Sequence, residues 1–152
     1  MPDRHLWKRH STKTITFTGA VGAGESDAPS TVTVFTCTGR VLVHTMTAFC
    51  TSDLVSAGGG TLVFGTSGDT DAFIASTDAT AIDENDWWQA AAPPAGESAT
   101  LGDSVTGGAT TSQRAKAISG DIILTIATAD ITGGVIVFDV IYTPLTDGAR
   151  LF

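Results

Sequence analysis

At 152 residues and a formal charge of −8, the chain has room for one domain and one core, burying roughly 68 to 70% of its unfolded surface. Thr, Gly, Val and Ile abound while Lys, Glu, Leu and Gln are scarce, which argues against helices, and no run reaches the roughly 18 apolar residues of a membrane span. The first 13 residues set Arg4, Lys8, Arg9 and Lys13 against Asp3 alone, a net +3; the rest sets four cations against fifteen carboxylates, a net −11 that repels phosphate backbones and speaks against direct nucleic-acid binding.

Residues 1–12 show neither strand nor helix period and mix charge with Leu6 and Trp7, so they are predicted to form a basic N-terminal arm ahead of a domain at 13–152. The opening MPDRHLWKRHSTK has charge but lacks the apolar centre of a secretory signal, and synthesis in a cytoplasm is expected. From Lys13 to Ala20 the residues alternate as a half-buried strand does, and the Gly- and acid-rich stretch from Gly19 to Ser30 that overlaps its end is a loop closed by Pro29. Thr31 to Cys37 and Arg40 to Phe49 are predicted to pair as a hairpin about Thr38-Gly39, the second being a central strand because both of its faces are apolar. In that hairpin Cys37 lies beside the turn and Cys50 about ten residues beyond it, roughly 30 Å away, too far for a disulfide. Two free, packed thiols are expected.

The stretch Gly58 to Trp88 reads as a turn, the strand Thr61 to Gly65, a polar turn, the apolar run Ala72 to Ala75, and an acidic turn delivering Trp87 and Trp88. If extended, those two rings point to opposite faces, one into the core and the other available for contact. Residues 89–112 are mostly loop, with a strand hint at Ser98 to Val105. Gln113 to Ile118 is a possible edge strand guarded by Arg114 and Lys116. Asp121 to Thr128 and Val135 to Thr143 are the strongest strands, predicted to pair about Ala129 to Gly134, with Pro144 ending the pairing and the tail leaving the sheet. About eight short strands without a helical segment predict an all-β, single-domain antiparallel β-sandwich, jelly-roll-like, with an up-and-down barrel as the alternative.

Reactive groups do not assemble into a catalytic set. Gly102-Asp103-Ser104 has the form of a short lipase nucleophile block and Thr66-Ser67-Gly68 that of a serine elbow, but His44 lies mid-strand and His5 and His10 in the arm, so neither serine has a base. Asp69, Asp71, Asp78, Asp83, Glu84 and Asp86 raise calcium, yet the spacing is not that of an EF-hand, and Asp more often caps turns. Cys and His are too dispersed for zinc, and no metal or cofactor is expected.

The blocks Gly60 to Ala75 (GTLVFGTSGDTDAFIA), Asp121 to Ile126 (DIILTI) and Tyr142 to Gly148 (YTPLTDG), in that order, resemble small virion proteins of tailed bacteriophages, notably head decoration or cement proteins. The resemblance implies a non-enzymatic protein on the capsid exterior, bound to the major capsid protein and commonly a homotrimer. Arg4, Leu6, Trp7, Lys8 and Arg9 of the arm, with Trp87 and Trp88, are the candidate partner-binding residues. A tail-tube, spike or fibre subunit, a sugar-binding module using the tryptophans, and an enzyme are the competing readings.

Overall fold

A computed structural model describes residues 7–19, 27–90, 99–103 and 115–152, with residues 90 and 99–103 described by their backbone only. In chain order the strands are β1 (Arg9–Thr16), β2 (Ser30–Phe35), β3 (Cys37–Thr38), β4 (Val41–Val55), β5 (Thr61–Thr66), β6 (Asp69–Asp78), β7 (Asp86–Ala90), β8 (Ala99–Asp103), β9 (Lys116–Ile118), β10 (Ile122–Ala127), β11 (Gly133–Pro144) and β12 (Arg150–Leu151). One turn of 3-10 helix, Ala79–Ala81, follows β6.

These strands form two main antiparallel sheets. The larger runs β1-β11-β4-β7-β8 with β9 also on β4, the smaller runs β2-β10-β5-β6, and β12 with β3 makes a short ladder at one end. Apolar side chains from both sheets fill the space between them, and the all-β sandwich expected from the Thr-, Val- and Ile-rich composition is what the chain adopts. Phe64 of β5 packs on Phe138 of β11 with ring centroids 4.7 Å apart, and Trp88 of β7 meets Phe138 edge-on at 6.4 Å. This aromatic cluster joins the sheets at mid-height, and Trp88 is wholly buried with its indole N–H donating to Thr77 Oγ1 at 2.9 Å.

β4 is the central strand, as its apolar content predicts, but it does not keep one alternation. Thr45 lies opposite Ile141 while Val43 lies opposite Tyr142, so His44 is an extra residue in a bulge. Val41 and Val43 face inward before the bulge, and Met46, Ala48 and Cys50 after it. Because a one-residue insertion reverses every later side chain, Thr45, Thr47 and Phe49 are turned outward instead of sharing a face with Val41 and Val43.

Two predicted hairpins are corrected. β2 belongs to the small sheet and β4 to the large one, with β3 between them pairing β12, so Thr38-Gly39 turns the chain from the end ladder into the large sheet. Gly39, at φ +71°, makes that turn beside Ala149. β10 and β11 likewise lie in different sheets, and the segment between them is a crossover, with Thr132 N–H on the Val55 carbonyl and Gly134, the second residue of β11, at φ 109°. Alternating apolar patterns set each strand half-buried but do not say against which sheet. The hairpin of β5 with β6 does form as expected, and Pro144 is the last paired residue of β11.

Further placements bear on the surface. The first strand begins at Arg9 instead of Lys13, paired from Arg9 opposite Tyr142 to Thr16 opposite Val135, so residues 9–12 of the expected arm are sheet. Trp87 and Trp88 lie within strand β7 and point to opposite faces, as expected of an extended pair, and the tail leaves the large sheet, as expected, to pair with β3 as β12. β9 is an edge strand as expected, paired on β4 alone among the described residues, but its Lys116 reaches across to the small sheet, where its ammonium donates to the Ala72 carbonyl and lies 5.8 Å from the Phe73 ring centre.

Candidate functional site

Antiparallel registers sort most of the described charged side chains to the two ends of the sandwich, Lys13 and Asp139 lying between them. At the end where β1 and β4 begin and β11 stops, Arg9 is opposite Tyr142, the Arg40 carbonyl accepts from Leu145 N–H, and Arg150 pairs with Thr38. Lys8, Arg9, Arg40 and Arg150 are all exposed there, and Lys116, opposite Val43, lies just inside. Asp147 lies among them, and Asp69, Asp71 and Asp121 belong to the same end of the small sheet. Four of the five large apolar side chains exposed among the described residues occupy this end as well: Trp7 at 75%, Phe152 at 57%, Leu145 at 44% and Ile141 at 38%. The Phe152 ring stacks under the Arg150 guanidinium at 4.9 Å, and Phe152 and Thr36 exchange backbone hydrogen bonds that fix the tail.

Aromatic rings and arginines around exposed aliphatic groups are the composition of a protein-binding surface. It is rigidly mounted, because Ser11 Oγ and Tyr142 OH both donate to the Leu151 carbonyl, tying β1, β11 and β12 together. We call it the basic end for its lysines and arginines, although Asp69, Asp71, Asp121 and Asp147 nearly balance their charge.

The opposite end is acidic. Asp53 Oδ1 accepts Glu84 N–H at 2.6 Å, Asp86 Oδ2 accepts Asp83 N–H at 3.2 Å, and Asp78 caps the 3-10 turn by accepting from Thr80 N–H at 2.9 Å. Asp130 accepts Ala28 N–H at 2.7 Å, with Asp27 next in sequence to Ala28. These carboxylates are turn caps, as their sequence setting suggests, and the density that raised calcium is divided between the two ends. Among the described residues, no three His, Cys, Asp or Glu side chains converge as metal ligands. No described cation lies at this end, where Val55 is the exposed large apolar residue.

Of the sequence candidates, Trp7, Lys8 and Arg9 stand on the basic end, whereas Arg4 and Leu6 lie outside the described residues. Trp87 is half-buried on the outer face of the large sheet, its ring 4.7 Å from Phe49, directly opposite it in β4. Trp88 is core and has no surface to offer a partner. Arg40, Ile141, Leu145, Arg150 and Phe152 were not legible as one surface, since only the β12–β3 ladder and the β1–β11 register bring them together.

His10, Thr12 and Asp139 also meet, on the outer face of β1 and β11. His10 Nε2 is 2.8 Å from Asp139 Oδ1, Thr12 Oγ1 donates to that same oxygen at 2.5 Å, and the Thr12 hydroxyl is 3.2 Å from His10 Nε2. A catalytic relay needs the acid and the hydroxyl on different ring nitrogens, whereas here both share one, so the trio is a cross-strand surface cluster. His44, in the bulge, is 2.7 Å from Thr143 Oγ1. Ser67 lies in the β5–β6 turn, and Ser104 falls outside the described residues.

Both thiols are free. Burial, with the Asp121 carboxylate that accepts Cys37 N–H as a smaller cause, raises the Cys37 pKa. Burial pushes Cys50 up to about 11, against a lowering hydrogen bond to the Ser52 carbonyl and with the acidic-end carboxylates adding to the rise. Neither thiol has the electropositive setting of a nucleophile.

No protein-family model matches the chain, and no curated protein matches it. Among solved structures it is similar to a chain of the acidic stable capsid structure of Helicobacter pylori bacteriophage KHP30, at 12% identity and a TM-score of 0.46, over 96% of this chain and 97% of that one. That score is too low to transfer fold or role. No helix among the described residues is long and apolar enough to cross a membrane.

Proposed function

We propose that this protein is a virion structural component of a tailed bacteriophage, a decoration or cement protein that binds the exterior of the shell built by the major capsid protein and stabilises it. The observation that carries the reading is the basic end: four exposed apolar side chains interleaved with Lys8, Arg9, Arg40 and Arg150 on a rigid sheet edge, a surface built for protein assembly. The phage-like blocks add to it. Two of them, residues 60–75 and 121–126, form the β5–β6 hairpin and its neighbour β10, and the third carries β11 into the basic end. On the shell the N-terminal residues ahead of β1 bind a neighbouring subunit, with Trp7 and Leu6 as apolar anchors and Arg4, Lys8 and Arg9 meeting its carboxylates. A homotrimer is the expected assembly.

Sedimentation of purified protein with shells of the virus that encodes it tests the reading. Saturable co-sedimentation, weakened when residues 1–8 are removed, is the expected result. A protein that stays in the supernatant at every concentration and salt level refutes it.

A further inference from the structure

β1 is an outermost strand of the large sheet, paired with β11 alone among the described residues. Phe17 N–H donates to the Gly134 carbonyl, which fixes the phase of the ladder that precedes it. Bonded and non-bonded pairs alternate in an antiparallel ladder, so Arg9, Ser11, Lys13 and Ile15 turn their backbone groups toward β11. The N–H and C=O groups of His10, Thr12, Thr14 and Thr16 therefore point away from the sheet, along an open edge. Six of the eight residues of β1 are exposed, and its pairing runs from Arg9 to Thr16 without a bulge. The small sheet offers no such edge: β2 carries a bulge at Val34, and the Ala72 carbonyl of β6 is taken by the Lys116 ammonium.

A row of alternating donors and acceptors at strand spacing is complementary to one kind of ligand, an extended polypeptide. Side chains narrow the class. Lys13 has the inward phase of Ile15 and Phe17 yet is exposed, because it stands at the open margin of the sandwich. Arg9 precedes it by four residues in the same phase, β1 has no carboxylate, and Asp139 lies on the other face with His10 and Thr12. An added strand brings the residues facing Arg9 and Lys13 into close, non-hydrogen-bonded pairs, where an opposite charge stabilises and a like charge repels. A second β1 is disfavoured for that reason. In each antiparallel register centred on Ser11, Thr12, Lys13 or Thr14, Lys13 lies directly or diagonally across from Arg9 or Lys13 of the other copy. Carboxylates four residues apart on one face of an incoming strand suit both cations.

We infer that the open edge of β1 accepts an extended acidic segment of the major capsid protein, which joins the large sheet as a further antiparallel strand. This rests on the capsid reading above for the source of the segment, while the open edge and its two cations are features of the fold. In the complex the incoming backbone bonds to His10, Thr12, Thr14 and Thr16, and its carboxylates meet Arg9 and Lys13. Backbone bonds supply affinity with little regard to sequence, so selectivity resides in Arg9 and Lys13, which reject apolar and basic strands.

Hydrogen exchange of the full chain, free and bound to stripped shells, tests the edge. Free in solution, the amides of His10, Thr12, Thr14 and Thr16 should exchange rapidly and those of Ser11, Lys13 and Ile15 slowly, the alternation of an open edge. On shells the peptide spanning Arg9 to Thr16 should gain protection. Thr14→Pro removes an outward N–H and leaves the bonds to β11, so the melting temperature should fall by no more than a few degrees while shell affinity drops at least about ten-fold. Thr14→Val keeps the N–H and should bind like the parent. Lys13→Glu should weaken binding at least about ten-fold at low salt, with the deficit shrinking as salt is added. Bound protein whose Arg9 to Thr16 peptide gains no protection, or a folded Thr14→Pro that binds like the parent, overturns the inference and leaves the capsid role standing. Protein that binds no shell refutes both. Lys13→Glu binding like the parent overturns the acidic partner, and protection that appears in the free protein as its concentration rises gives the edge to a second copy instead. Exchange on the parent decides the matter even where Thr14→Pro fails to fold.

Discussion

Replacing Trp88 by Ala should be among the most damaging single changes in the large sheet, and replacing its neighbour Trp87 should not. Trp88 is 0% exposed, packs against Phe64 and Phe138 at 6.2 and 6.4 Å between ring centres, and donates its indole N–H to Thr77. Deleting a ring at the junction of both sheets leaves a cavity that neither sheet can close, at a cost of roughly 3–5 kcal/mol. For a domain of this size that corresponds to a fall in melting temperature of roughly 6–20 °C. Trp87→Ala loses a half-exposed ring and its contact with Phe49, about 1–2 kcal/mol and a few degrees. Trp88→Phe separates the two parts of the Trp88 cost, since it keeps most of the packing but takes the donor from Thr77, and should fall between. Thermal and urea melts of the three variants provide the assay. Equal losses for Trp87→Ala and Trp88→Ala, or the larger loss for Trp87, would refute this inside-outside assignment and with it the register of β7 on β4.

Alkylation of the native protein should modify half-buried Cys37 before buried Cys50, and full unfolding without reductant should expose both; a recovered Cys37–Cys50 disulfide would contradict the structure. The Cys50 thiol is held protonated by the fold, so its contribution to stability is complete below the ordinary thiol pKa of 9.0 and is lost as pH rises toward about 11. Urea melts across that window should show a smaller alkaline loss for Cys50→Ala than for the parent. Gly134→Ala should cost at least about 2 kcal/mol, because φ is 109° and the added Cβ would lie 2.5 Å from the Asp53 carbonyl oxygen; an unchanged urea midpoint would refute the crossover geometry. Removing residues 1–8 should leave the melting temperature within a few degrees, whereas removing 1–12 also strips Arg9 to Thr12 from β11 and should lower it further. Shell binding by the shorter truncation should be weaker and less sensitive to salt.

Local pattern carried the fold class and most strand positions, because alternation and turn residues act over a few residues. The hairpin Thr61 to Asp78 was legible for that reason: the Ser67-Gly68 turn joins strands that pair with each other. Which sheet each strand joins was not. Thr38-Gly39 and Ala129 to Gly134 look like hairpin turns, yet both lead between ladders, a choice made by core packing far away in sequence. His44 could not be read as a bulge, since its neighbours alternate equally well without one, and that reversal decides that Phe49 faces outward to Trp87. The conclusion that Cys37 and Cys50 are unpaired survives although the hairpin that motivated it does not form. At the candidate surface, Trp7, Lys8 and Arg9 were visible as a charged, aromatic segment. Their companions Arg40, Leu145, Arg150 and Phe152 lie more than thirty residues away in sequence and join them only through β12 on β3 and β1 on β11.

Electron microscopy of shells stripped of this protein and then incubated with it tests the central claim most directly. The account predicts added density at regularly repeated positions on the outer surface, with the stripped shells gaining resistance to heat or chelation, and loss of that density when Arg9 and Arg40 are both reversed to Glu. Bare shells at saturating protein, or density confined to a tail or to the shell interior, would contradict it.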